Sequence, residues 1–329
     1  MKRILFILLV PLLAVILYAC GNDNNSDDEA VVYVTAYPVE YLVNMIGQDI
    51  TTAKYVPGST AHGHGFDWSG QEIIDMQNAD ILLYVGAGLD PYITSNYETL
   101  NEGSVRLTKI SDYVTPIEVC MGHDHIDEDE HEHHHDDDDD DDTVCEDAEL
   151  IEDPHMWLDV ERMQAIASLV RDQLIISYPN ETEHINNNYL VVEKLLEKLQ
   201  DDYATALDAV TKPIITNVKL FSYYESAYDL VINPFTKNAH SHDDESTPTD
   251  YPEFVDYALS HDISIILFEQ NANSPAGETL LTELQKENPD ASKLYLHPLG
   301  YLTRDEVKTG QNYITIMYAN LDSLLQATE

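Results

Sequence analysis

From residue 160 to about residue 210 the sequence shows helical periodicity and no strand signal, and this run most restricts the folds open to the chain. It divides in two. In the first part Met163, Ile166, Leu169, Val170 and Leu174 recur at helical spacing, and Tyr178-Pro179-Asn180 ends the pattern. In the second, residues 181–210, Leu190, Val192, Leu195, Leu196 and Leu199 line one side and Glu, Lys and Asp the other. A helix of about thirty residues rises about 45 Å, as long as a small domain is wide. Such an element is expected to join two lobes as a spine rather than lie within one.

On either side of the spine, short apolar runs alternate with amphipathic stretches. Strands are expected at 31–35, 53–56, 81–85 and 105–108 before it, and at 214–217, 230–232, 263–268 and 293–296 after it. Helical stretches at 39–46, 71–78, 251–260 and 278–285 fall between them. This alternation predicts an α/β fold of two lobes, each a parallel sheet flanked by helices, joined by the long spanning helix around a cleft. The expected boundaries are 31–180 for the N-terminal lobe, 181–210 for the linker helix and 211–329 for the C-terminal lobe. At 43% hydrophobic residues the chain can bury substantial cores.

The chain begins with Lys2-Arg3 and an uncharged apolar run, residues 4–19, too short to span a bilayer comfortably. Leu17-Tyr18-Ala19-Cys20 follows the pattern of a lipoprotein signal peptide over residues 1–20, with Cys20 the lipidated residue. An uncleaved N-terminal anchor is the alternative, and both place the protein at the cell membrane facing the extracytoplasmic side. Residues 21–30 are polar and turn-rich, as expected of a tether. Cys120 and Cys145 then sit in an oxidising setting, where they either form a disulfide or remain two thiols.

With 61 Asp+Glu against 16 Lys+Arg the formal charge is −45, which excludes a phosphate-neutralising surface and so argues against nucleic acid as a partner. Multivalent cations suit it instead. Of the 61 acidic residues 18 lie between Cys120 and Asp153 with no Lys or Arg, so the rest of the chain stands at −27. Within that stretch the loop 121–143 holds His123, His125, His131, His133, His134 and His135. A solvated charge run would account for the aspartates but not for the histidines. Imidazoles and carboxylates dense on one segment are expected to capture divalent transition metals weakly and exchangeably.

Three further histidines stand alone. His64 lies in Pro57-Gly58-Ser59-Thr60-Ala61-His62-Gly63-His64-Gly65-Phe66-Asp67, after an expected strand; His155 lies in Asp153-Pro154-His155-Met156-Trp157-Leu158-Asp159, before a helix; His297 lies in His297-Pro298-Leu299-Gly300, after the last strand. Ligands of open α/β sheets bind outside the carboxyl ends of the strands, so these imidazoles could converge in the cleft. Any one alone is more often a surface histidine.

The segments Pro57-Gly58, His64-Gly65-Phe66-Asp67, Asn78-Ala79-Asp80 with Gly86, Asp153 to Asp159, Phe268-Glu269-Gln270 and Pro298-Leu299-Gly300, in this order, resemble the zinc/manganese solute-binding lipoproteins of bacterial ABC transporters. The Asp-Pro-His-x-Trp-Leu segment is the most specific, and a His/Asp-rich loop at this place resembles the zinc branch. The resemblance implies one metal in the cleft held by four side chains, two from each lobe. It carries over directly to His64 and His155, with His62 as a substitute or additional donor. The C-terminal lobe departs from the pattern. Val218 stands where the family has a His or Glu ligand, and His297 where it has an Asp. The expected set is therefore His64, His155 and His297 around Zn2+ in preference to Mn2+, with His240, His242 or Glu269 as further candidate donors.

The implied function is a monomeric, membrane-anchored, non-enzymatic component of a metal importer that hands zinc to an ABC permease. An exported zinc hydrolase, for which three histidines and a water would serve equally, and a metal-buffering surface adhesin are the alternatives. No Gly-x-Ser-x-Gly, His-Glu-x-x-His or phosphate loop is present in the sequence.

Overall fold

The computed structural model describes residues 31–59, 68–121, 149–235 and 251–329. In chain order the first lobe contains β1 (Val31–Val34), α1 (Tyr37–Gly47), β2 (Thr52–Tyr55), α2 (Gly70–Gln77), β3 (Ile81–Tyr84), α3 (Pro91–Ser95), α4 (Tyr97–Leu100) and β4 (Arg106–Lys109). A hairpin of β5 (Glu118–Met121) and β6 (Glu149–Glu152) follows, then α5 (Val160–Ser177) and α6 (Thr182–Leu207). The second lobe contains β7 (Ile214–Thr216), α7 (Ser222–Tyr228), β8 (Ile232–Pro234), α8 (Tyr251–Ser260), β9 (Ile265–Glu269), α9 (Pro275–Glu287), β10 (Ser292–Leu296), α10 (Arg304–Lys308) and α11 (Tyr313–Thr328).

Both main sheets are parallel and share one topology. The strand orders are β2-β1-β3-β4 and β10-β9-β7-β8, so in each lobe the first strand lies inside, the second beside it at one edge, and the third and fourth follow on the other side. The chain thus changes direction between β1 and β3 and again between β7 and β9. Carboxyl ends at such switch points form a crevice. The strands that feed it are short and nearly all apolar, as with Ile81-Leu82-Leu83-Tyr84, buried on both faces as covered parallel strands are.

The long helical run is two helices, as its pattern implies. α5 starts where the buried Asp159 carboxylate accepts from the backbone N–H groups of Glu161 and Arg162, a side-chain cap also paired with the Arg162 guanidinium. α6 begins at Thr182 and has 26 residues, about 39 Å of axial rise. It lies against α1 and α5 near its start and against α7 and α11 further on. Asn188 Nδ2 donates to the Ile46 carbonyl of α1, and Tyr203 Oη donates to the Met317 carbonyl of α11.

The β5–β6 hairpin carries no alternation strong enough to be legible in the sequence. Its antiparallel register, Glu118 opposite Glu152, places residues 122–148 between its two strands. Those residues, with all six histidines of the acidic segment, lie outside the described residues, as do Cys20, His62, His64, His240, His242 and Cys145. Cys120, on β5, is disulfide-bonded.

One apolar cluster serves both lobes. It joins Val32 and Val34 of β1 to Ile214 of β7, Leu267 of β9 and Leu296 of β10 through Trp157, Leu196, Leu199, Tyr203 and Tyr313. A smaller cluster, including Ile266, Phe268 and Leu284, lies between the second sheet and α8 and α9. Because the main core is shared, thermal unfolding is expected as a single cooperative transition. Leu196→Ala, at a fully buried site on α6, is expected to lower its stability by about 2–5 kcal/mol. Scanning calorimetry that resolved two independent lobe transitions would contradict the shared core.

Candidate metal centre

The carboxyl end of β2 runs into Val56-Pro57-Gly58-Ser59, where Gly58 takes φ +87°, a left-handed conformation that glycine adopts without strain. The Trp68 indole N–H donates to the Pro57 carbonyl at 3.0 Å, so the segment containing His62 and His64 leaves and re-enters the described chain at neighbouring points.

His155 is built into the end of the hairpin. Asp153, directly after β6, donates its backbone N–H to the Ile117 carbonyl, and its own carbonyl accepts from Tyr223 Oη at 2.7 Å. The buried Asp153 carboxylate accepts twice from His155, from the backbone N–H at 2.9 Å and from Nδ1 at 2.7 Å. A carboxylate only accepts here, so the ring proton sits on Nδ1 and the lone pair on Nε2. This carboxylate–histidine arrangement fixes the tautomer and orientation of metal-binding imidazoles. The ring packs edge to face on Trp157, with centroids 5.4 Å apart.

In the second lobe the carboxyl end of β7 carries Asn217, whose Oδ1 accepts from the Glu269 backbone N–H at 2.7 Å, tying the ends of β7 and β9. Val218 is half-buried and packs against the main core, as an apolar residue should. Glu269 is half-buried at the end of β9.

His297 directly follows β10. It is 2% exposed, and its Nδ1 accepts the Leu299 backbone N–H at 2.8 Å. In the neutral ring the proton therefore resides on Nε2, which lies 3.3 Å from Glu306 Oε1 and makes no aligned hydrogen bond among the described residues. In this tautomer the Leu299 N–H takes the Nδ1 lone pair and Nε2 carries the proton. Among the described residues no three His, Cys, Asp or Glu side chains gather closely enough to hold a metal. The structure brings His155 and His297 into one neighbourhood, because the Trp157 indole donates to the Pro298 carbonyl at 2.8 Å, but gives them opposite proton placements.

Sequence reasoning missed Asp153, Tyr223 and Glu306. Only Asp153 left a signal, an acidic residue two positions before a histidine with a proline between.

Residues 32–327 match the family model described as zinc-uptake complex component A, periplasmic (ZnuA). The zinc-binding lipoprotein AdcA of Streptococcus pneumoniae R6 is 27% identical over 334 residues, covering 100% of this chain and 62% of that protein. The chain therefore spans about three fifths of that streptococcal relative. The high-affinity zinc uptake system protein ZnuA of Bacillus subtilis 168 is 27% identical over 315 residues, 93% of this chain and 92% of that one. Among solved structures, the Zn(II)-bound ZnuA-like domain of Streptococcus pneumoniae AdcA superposes with a TM-score of 0.69 at 24% identity, covering 91% of this chain and 99% of that domain, and so shares the fold.

Two outcomes are expected from this geometry. Asp153→Asn removes the acceptor that fixes the His155 tautomer and should weaken divalent-metal binding by about 10–100-fold in a chelator-competition titration. The second concerns pH. Burial holds His297 below its ordinary value against the opposing pull of Glu306. Burial pushes Glu306 up, but bonds from Asn271 and Thr303 and the adjacent His297 outweigh it and bring its carboxyl down to about 2. Both groups bind fewer protons folded than unfolded, so stability is expected to decline as pH falls below about 6.5, and again from about 4.5 towards 2. Glu306→Gln should flatten the lower branch in denaturant titrations run from pH 7 to 3.

Proposed function

Because the chain belongs to the family of periplasmic zinc-uptake complex component A proteins, we propose that it captures zinc outside the cell and delivers it to an ABC permease in the membrane. The observation that carries this reading is His155, whose Nδ1 the buried Asp153 carboxylate holds, leaving the lone pair on Nε2, and whose neighbour Trp157 bonds to Pro298 just beyond β10. Imidazole donors suit zinc, and zinc accepts a water in a remaining position of a tetrahedral site.

In this proposal His155 and His64 are the first-lobe donors, with His62 as an additional one. Donors from the second lobe come from Glu269, at the end of its strand, or from His240 and His242.

 Glu269 ends β9 beside Asn217, at the switch point of the second sheet. The segment with His240 and His242 follows β8, the edge strand next to β7. The His/Asp-rich segment, residues 121–143, gathers zinc weakly and raises its local concentration near the cleft. Lipidation at Cys20 and the tether 21–30 hold the monomer at the outer face of the membrane, and no covalent chemistry is involved. None of the described helices is long and apolar enough to cross a membrane.

Zinc titration of the chain from Cys20 onward, against a competing chelator, tests the reading. One tight site and several weaker ones are expected. His155→Ala should abolish the tight site, a larger loss than Asp153→Asn causes, whereas deletion of residues 123–142 should leave it and remove weaker binding. Retention of tight binding in His155→Ala would refute the cleft site.

A further inference from the structure

We propose that His297 is a positioning residue, the hydrogen-bond acceptor that shapes an interlobe strap formed by residues 297–303, and that it is not a zinc ligand. The inference rests on the reading of the cleft as the zinc site. Leu299 stands at φ +62°, a left-handed conformation that disfavours a leucine, so the turn needs something to hold it. The bond from Leu299 N–H to His297 Nδ1 supplies it. This is the contact from a side chain to the backbone two residues on that Asp and Asn make in Asx turns, made here by an imidazole lone pair.

The ring sits against both ends of the strap. Beside Nε2, Glu306 accepts from the Thr303 backbone N–H and hydroxyl through Oε2, and from Gln270 and Asn271 through Oε1. The His297 backbone is pinned by Asn320 of α11, which accepts from its N–H and donates to its carbonyl. Between these fixed ends the strap turns two carbonyls to the first lobe. Pro298 accepts from the Trp157 indole at 2.8 Å, and Gly300 accepts from the Tyr37 backbone N–H at 3.1 Å. Trp157 packs on the His155 ring, so the strap reaches the zinc histidine through one aromatic side chain.

The two roles make different demands on residue 297. An acceptor role is met by asparagine, whose Oδ1 can take the Leu299 N–H, whereas asparagine is a poor zinc donor. His297→Asn, His297→Ala and His155→Ala are therefore compared in the chain from Cys20 onward, by zinc titration against a chelator and by hydrogen exchange at the Leu299 and Tyr37 amides. His297→Asn should keep zinc affinity and amide protection close to the parent. His297→Ala should speed exchange at both amides and weaken zinc by about tenfold, the scale of lost support around a ligand. The proposal is overturned if His297→Asn loses tight zinc binding as fully as His155→Ala, or if His297→Ala leaves both amides protected. Should His155→Ala itself retain tight binding, the cleft reading fails, and the exchange rates still decide whether His297 holds the strap.

Discussion

The two lobes do not own separate main cores, and the rest of the structure depends on that. Apolar residues of both sheets meet across α6, with Trp157, Tyr203 and Tyr313 buried where the lobes join. An aromatic side chain of this kind buries roughly 150–250 Å², worth about 4–6 kcal/mol at 25 cal/mol per Å². Opening the cleft by a wide hinge would expose several of them together. Tyr313 Oη also donates to the Trp157 carbonyl, and Tyr203 Oη to that of Met317, so the seam is polar-satisfied as well as packed. In the proposed zinc site, exchange of the ion would then be a matter for the segments at the carboxyl ends of the strands, not for the lobes as bodies.

The charge of the chain is arranged around this rigid frame. A large share of the imbalance falls between β5 and β6, on a hairpin set apart from both main sheets. The hairpin is nevertheless bonded to the frame at its base, where Tyr223 Oη accepts from the Ile117 N–H and donates to the Asp153 carbonyl. Arg162 lies over the Tyr223 ring, donates to the Thr115 carbonyl and pairs with Asp159. The acidic segment and the most tightly fixed histidine thus share one anchor. At that anchor the Asp153 carboxylate, buried at 4% exposure, accepts two N–H donors of His155, an arrangement through which a carboxylate orients an imidazole.

Much of the fold was legible because it rests on periodicity. The expected helix over 160–177 matches α5, and the stretch 181–210 contains α6 with frayed margins. The parallel strands fall within the expected runs or extend past one end of them by a residue or two. The hairpin was not legible, since four-residue strands such as Glu118-Val119-Cys120-Met121 give too little alternation to register. At the site, Val218, the apolar residue at the family's ligand position, packs against the main core. Asp153 as an orienting carboxylate, and Tyr223 and Glu306 as supports, depend on contacts between distant parts of the chain, which local pattern does not encode.

In the proposal His297 holds the strap instead of a metal, for a reason that residue type conceals. A neutral imidazole has one lone pair, and its location is decided by what Nδ1 faces. At His155 that partner is a carboxylate, which takes a proton-bearing nitrogen and leaves the lone pair on Nε2; at His297 it is a backbone N–H, which consumes the lone pair. Bringing His297 to a metal through Nε2 would place a proton on Nδ1 against the Leu299 N–H, two donors facing each other within a buried turn, at a cost of about 1–3 kcal/mol for the unsatisfied group. With Val218 packed on the core and His297 bonded within the strap, the proposal has the ends of β7 and β10 shape the second-lobe wall of the cleft. On the proposed reading, the C-terminal contribution to a zinc site comes from Glu269, at the end of β9, or from the histidines that follow β8 in the sequence, and it meets a first-lobe histidine whose ring is already held by Asp153.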